Sequence, residues 1–119
     1  MNFNETDPFS KDFKRLSKKY RSLHDDLLEF KKVVMALPFG SGKHFNVITK
    51  TEQVTVIKAR LFCRYLRGSS LRIIYALDAT ITKIEFIQLY PKNEQEDEDC
   101  DRIKEYLKNY TRLGSGNAE

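Results

Sequence analysis

Along residues 9–23 the apolar positions Phe9, Phe13, Leu16, Tyr20 and Leu23 recur at steps of three and four. That spacing lays them along one stripe of a helix. The other positions carry Lys11, Lys14, Arg15, Lys18, Lys19 and Arg21, a basic outer face. Pro8 suits the first helical turn. A second helix is predicted over about Asp25–Leu37, with Leu27, Phe30, Val33, Val34 and Leu37 as its stripe. Asp25 and Asp26 complement the dipole of its first turn. "SLHD", Ser22–Asp25, resembles a capping box with Asp in place of Glu, and Pro38 stops the helix. Two helices so close in sequence are expected to form an antiparallel hairpin.

Residues 39–53 read as a Gly/Ser-containing connection. The period then changes to two. Over residues 54–65 the odd positions Ile57, Ala59, Leu61, Cys63 and Tyr65 are apolar, and the even positions include Lys58, Arg60 and Arg64. Such alternation predicts a strand with the three cations on one face. "RGSS", Arg67–Ser70, is the expected turn. In "LRIIYALD" Leu71, Ile73, Tyr75 and Leu77 share a face, and Arg72 points to the other with Ile74 and Ala76. "TKIEFIQLY", residues 82–90, is a third strand after the turn "DATI". Short connections favour antiparallel pairing. A last helix is expected from Asp99 to about Tyr110, with Ile103, Tyr106, Leu107 and Tyr110 inward, followed by a mobile tail over 111–119. The domain is thus a single unit over residues 1–110.

Composition narrows the class. A chain of 119 residues with 40% hydrophobic content can build one modest core. No apolar run is long enough to span a bilayer. "MNFNETDPFSKDFK" lacks the layout of a signal peptide, so a cytoplasmic location is expected. Cys63 and Cys100 have no metal-ligand or redox spacing, and read as ordinary thiols. His24 and His44 stand alone and read as surface or capping residues. "GSGK" lacks the spacing of a nucleotide-binding loop and follows no strand.

The net charge of +4 conceals a segregation. "EQEDEDCD", residues 94–101, holds six acids and no base, so the remainder of the chain is more basic than the net value. A basic body suits a polyanionic partner.

The order of elements, together with "IKAR", "GSSLRIIYAL" and "IEFIQLYPK", resembles the RelE/ParE toxin superfamily of bacterial toxin–antitoxin systems, over about residues 9–110. "FKRLSKKY" is similar to that family's first helix, and the K-x-R strand before a G-x-x-R-hydrophobic-hydrophobic-Y strand is closer to the RelE-like branch. The resemblance implies an α+β fold, a small curved antiparallel sheet packed on an N-terminal helix hairpin with a C-terminal helix. An N-terminal strand is usual there, and "MNF" is a poor candidate for it. RelE-like members cleave mRNA in the ribosomal A site without a metal, the ribose 2′-hydroxyl attacking the adjacent phosphate. By resemblance the catalytic residues are Lys58, Arg60, Arg72 and Lys92, with Tyr90 supplying a hydroxyl or a stacking ring.

General chemistry agrees with that set. Fixed guanidinium groups stabilise a phosphorane-like transition state, and Arg engages phosphate with fixed geometry. A lysine depressed by cationic neighbours can serve as general base, and Lys58 is the candidate. Arg64, Arg67, Lys14 and Lys18 are the expected contacts to RNA and the ribosome. The implied partners are a cognate antitoxin protein, mRNA and ribosomal RNA, with no metal, no small-molecule cofactor and no membrane. Two features depart from the compact members of the family. "LFCRYLRGSSL" lengthens the hairpin, and "NEQEDED" stands where further basic residues and a catalytic tyrosine or histidine are often found. A ParE-like inhibitor of DNA gyrase, and an inactive relative that binds an antitoxin as co-repressor, therefore stay open as alternatives to a translation-inhibiting endoribonuclease.

Overall fold

A computed structural model describes residues 2–40, 44–66 and 70–117, with side chains through Tyr110. The order is β1 (Asn2–Glu5), α1 (Asp7–Lys19), α2 (Leu23–Ala36), β2 (Phe45–Lys50), β3 (Thr55–Phe62), a short 3-10 turn (Arg64–Leu66), β4 (Ser70–Asp78), β5 (Lys83–Pro91) and α3 (Cys100–Asn117). The strands form one sheet in the order β1-β5-β4-β3-β2. The β3–β4 and β4–β5 pairs are antiparallel, as expected; β2, in the segment read as a connection, also pairs antiparallel with β3, and β1 runs parallel to β5, so the sheet is mixed.

Helix α1 forms where the stripe predicts it. Thr6 caps it, its side chain accepting from the Phe9 amide, and Pro8 occupies the first turn. Phe9 and Leu16 are fully buried on the sheet. The second stripe differs from expectation: α2 buries Leu23, Leu27, Phe30 and Val34, whereas Val33 and Leu37 are about half exposed. The capping box at Ser22 does not form. Ser22 Oγ instead donates to Asp26 Oδ2 at 2.7 Å, because Asp26 is the acceptor for the turn after β3. The final helix is capped by Asp99, which accepts from the Arg102 amide, and its backbone continues past Tyr110 to Asn117.

Two apolar clusters lie on opposite faces of the sheet. The larger joins α1 and α2 to Ile57, Ala59, Leu61, Leu71, Ile73, Tyr75 and Leu77. The smaller joins Val54, Val56, Ile74, Ala76, Ile87 and Tyr90 to Ile103, with Tyr106, Leu107 and Tyr110 of α3 packed against it. Helix α3 covers only part of its face. The hydroxyls of Tyr106 and Tyr110 donate to Glu85 and Asp78, fixing that end. Burial, reinforced by these carboxylates, pushes both phenols above the usual tyrosine range.

A register shift between Ile74 and Tyr75 on the β4–β5 ladder leaves Ile87 as the extra residue. It reverses the parity of β5. Ile84 and Phe86 face α1 and α2 before the bulge; Leu89 does so after it, which turns Tyr90 toward the face of α3.

Candidate nucleic-acid interface

The register places the cations together. Arg60 pairs with Arg72, which pairs with Tyr90, a row across three strands. One step along, Asn46 pairs with Lys58 and Lys58 with Ile74. Residues in register share a face, so Lys58, Arg60 and Arg72 emerge beside the end of the sheet that α3 leaves uncovered. They line an open pocket of about 270 Å³ with His44, Asn46, Lys92, Glu96 and Asp97. A second depression continues from Arg60, Arg72 and Lys92 past Ser70 and Asn93.

Arg60 and Arg72 directly oppose each other, which is unfavourable for like charges. Among the described residues no carboxylate lies within ion-pair distance of Arg60, Arg72 or Lys92. Arg72 Nη1 donates to Ser70 Oγ at 2.9 Å, which orients the guanidinium but leaves its charge uncompensated.

Lys58 is different. Its Nζ lies 2.9 Å from Glu98 Oε1, and both side chains are mostly buried. Burial favours the neutral amine, but the Glu98 carboxylate, with a contribution from Tyr90, outweighs it, so the ammonium is held above the usual lysine range. Burial likewise works against the Glu98 carboxylate, and Lys58 outweighs it and holds Glu98 below its usual value. The lowered lysine expected of a general base is therefore not found; the acidic segment has folded back onto it. That segment is anchored at both ends. The Glu94 and Gln95 amides donate to the Pro91 carbonyl, Arg15 pairs with Glu94, and the Asp99 amide donates to Gln88 Oε1 at 2.8 Å.

Tyr90 is 2% exposed, with its ring in the smaller core, so it presents no surface for stacking on a base. Its hydroxyl is buried without a hydrogen-bond partner among the described residues, close enough to Lys58 to feel its charge but not well placed to bond it. Burial pushes the phenol up despite that neighbour.

The expected RNA contacts are not gathered at the pocket. Strand β3 ends at Phe62, and Arg64 turns to α2: its amide and Nε each lie 3.3 Å from the Asp26 carboxylate, and Nη2 lies 3.8 Å from Asp25. Arg64 thus ties the hairpin to the helices. Lys14 and Lys18 are exposed on α1, on the opposite side of the sheet from the pocket. Arg67 lies outside the described residues. His44, read from sequence as a surface or capping residue, is a pocket residue. It stands in a turn immediately before Phe45, the first residue of β2, which pairs with Ala59 beside Arg60. Among the described residues no cluster of three His, Cys, Asp or Glu side chains could hold a metal ion, and no helix is long and apolar enough to cross a membrane.

No family model matches the chain, and no curated protein matches it. Among solved structures it is similar to the archaeal RelE–RelB complex from Pyrococcus horikoshii OT3, with a TM-score of 0.57 at 21% identity over 76% of this chain and 93% of that chain. The fold is therefore RelE-like.

Proposed function

We propose that the protein is the toxin of a type II toxin–antitoxin system and acts as a ribosome-dependent mRNA endonuclease, held in check by a cognate antitoxin. The observation that carries this reading is the open cationic row: Arg60 and Arg72 face each other across two strands, beside Lys92 and without a carboxylate partner among the described residues. Two opposed guanidinium groups await an anion. A phosphodiester supplies it, and its transition state carries more negative charge than its ground state, which such groups stabilise. In this reading the ribose 2′-oxygen attacks the neighbouring phosphorus and the 5′-oxygen leaves. Arg60 and Arg72 hold the non-bridging oxygens. Lys92, exposed at the rim, engages an adjacent phosphate. Lys58 becomes a further phosphate ligand once Glu98 withdraws. Tyr90 supports the row from beneath. The likeness to RelE in its RelB complex supports an antitoxin partner.

The Lys58–Glu98 pair favours a second reading, an inactive relative that binds an antitoxin as co-repressor, because it occupies the lysine with a carboxylate of the same chain. Inducible expression with growth curves and transcript-end mapping tests the choice. Wild type arrests growth and leaves new ends within coding frames, and Arg72→Ala removes both. Normal growth on strong expression of wild type decides for the second reading. Arrest without new transcript ends, with impaired supercoiling, decides for a gyrase inhibitor.

A further inference from the structure

Cleavage of an RNA phosphodiester needs a proton for the departing 5′-oxygen, and most groups in the pocket supply one poorly at neutral pH. Arginine does not give up its proton. Lys58 is held protonated by Glu98. The Tyr90 hydroxyl is buried. An imidazole is the one side-chain type that ordinarily titrates between pH 5 and 8.

We propose that His44 is a catalytic residue of this site, the general acid that protonates the leaving 5′-oxygen. The proposal rests on the endonuclease reading and adds a residue from the opposite edge of the sheet. Four observations carry it. His44 lines the same pocket as Lys58, Arg60, Arg72 and Lys92. His44 stands one residue before β2, whose first pair, Phe45–Ala59, adjoins Arg60 in sequence, so it approaches the row Arg60–Arg72–Tyr90 from the neighbouring strand. Its ring packs edge-on against Phe62, with centroids 5.4 Å apart and planes at 82°, which fixes its orientation. Its Nδ1 is buried with no hydrogen-bond partner among the described residues, which leaves Nε2 as the ring nitrogen that can serve a substrate.

Local chain geometry brings the imidazole there. Gly40 has φ 78°, and a Cβ on it would meet Phe45 Cγ at 2.2 Å, so glycine lets the chain pass close to the start of β2. Phe45, the first residue of β2, packs against the main core, which anchors the chain next to His44. The charged groups facing the pocket with it are Lys58 and Arg60 from β3, Arg72 from β4, and Lys92, Glu96 and Asp97 from the segment after β5.

In the reaction, the bond from O2′ to phosphorus forms and the bond from phosphorus to O5′ breaks. The 2′-hydroxyl proton passes to water, and the imidazolium proton passes to O5′. The products are a 2′,3′-cyclic phosphate and a 5′-hydroxyl, and the imidazole regains its proton from solvent.

The test is single-turnover cleavage of mRNA on programmed ribosomes by wild type, His44→Gln and Arg72→Ala, with the scissile 5′-oxygen either normal or replaced by sulfur. A thiolate leaves without protonation. His44→Gln is expected to lower the rate at saturating protein by about 100-fold or more on the oxygen substrate, with binding unchanged. It recovers to near the wild-type rate on the sulfur substrate. Arg72→Ala is slow on both. A wild-type rate for His44→Gln while Arg72→Ala is inactive overturns the proposal and leaves the endonuclease reading standing. An equal loss on both substrates shows a structural role and also overturns it. Wild type inert on both substrates removes the endonuclease reading and the proposal together.

Discussion

Replacing Glu98 by Gln separates what the Lys58–Glu98 pair does for the fold from what it does to the site. The pair is 2.9 Å long, and the two side chains are 23% and 18% exposed, so it lies between a solvated and a buried ion pair. Exposed pairs contribute about 0.2–1 kcal/mol, and breaking a fully buried one costs about 3–5 kcal/mol. A loss of about 1–2 kcal/mol is expected here, lowering the melting temperature by about 3–10 °C for a domain of this size. The sign of the pH dependence follows from the shifts. Glu98 is lowered in the fold, so its contribution is present above the ordinary glutamate pKa and is lost as pH falls through the folded value. Lys58 is raised, so its contribution is present below the ordinary lysine pKa and is lost as pH rises through the folded value. Wild type therefore loses more stability than Glu98→Gln on acidification through the carboxylate range, and the two converge at low pH. Binding should move the other way. A phosphate that reaches Lys58 must displace the carboxylate, and a hydrogen bond to a charged group is worth about 1.5–3 kcal/mol. Removing the competitor should tighten a short single-stranded RNA by about 3- to 10-fold, because part of that energy is offset by ordering the RNA. Fluorescence anisotropy at fixed salt reads the affinity, and thermal denaturation across pH reads the stability. Unchanged or weaker RNA binding, with the stability loss present, would refute the argument that Glu98 and phosphate compete for Lys58.

Asp26→Ala should cost about 2–4 kcal/mol in denaturant unfolding, since it strands the Ser22 hydroxyl and the Arg64 amide and guanidinium together. Arg64→Ala should cost less, because its side chain is 70% exposed, and should leave cleavage unchanged; a cleavage defect at native stability would return Arg64 to the RNA interface. Above about pH 10 stability should fall as pH rises, since the unfolded chain ionises tyrosines that burial keeps neutral. Tyr106→Phe should flatten that alkaline slope in circular-dichroism melts.

Much of the site could be read from Lys58, Arg60 and Arg72 because β3 and β4 are central strands with one face in the main core. Their period of two is enforced by burial of Ile57, Ala59 and Leu61 against Leu71, Ile73 and Tyr75. The edge strands carry no such signal. β1 has no fully buried residue, and β2 has a register shift between Val47 and Thr49 and is mostly half exposed. Both were hidden in segments that read as terminus and connection, and with β2 went the placement of His44. Parity also misled at Arg64, because the strand stops at Phe62, three residues short of the expected end, and a contact with Asp26, distant in sequence, takes over. The return of Glu98 to Lys58 is a pairing across forty residues, and nothing in local periodicity encodes it. The bulge at Ile87 shifts the face of Tyr90 in the same unannounced way.

In the proposed function the Arg60–Arg72 row cleaves RNA on the ribosome. Purified protein, programmed ribosomes and end-labelled mRNA test it most directly, with wild type compared against Arg72→Ala and Arg72→Lys at matched stability. Wild type is expected to cleave within the ribosome-bound codon, Arg72→Ala to lose about 100- to 1000-fold, and Arg72→Lys, which keeps the charge but not the fork, to retain partial activity. Cleavage by Arg72→Ala at the wild-type rate, or an mRNA left intact by wild type, would contradict it.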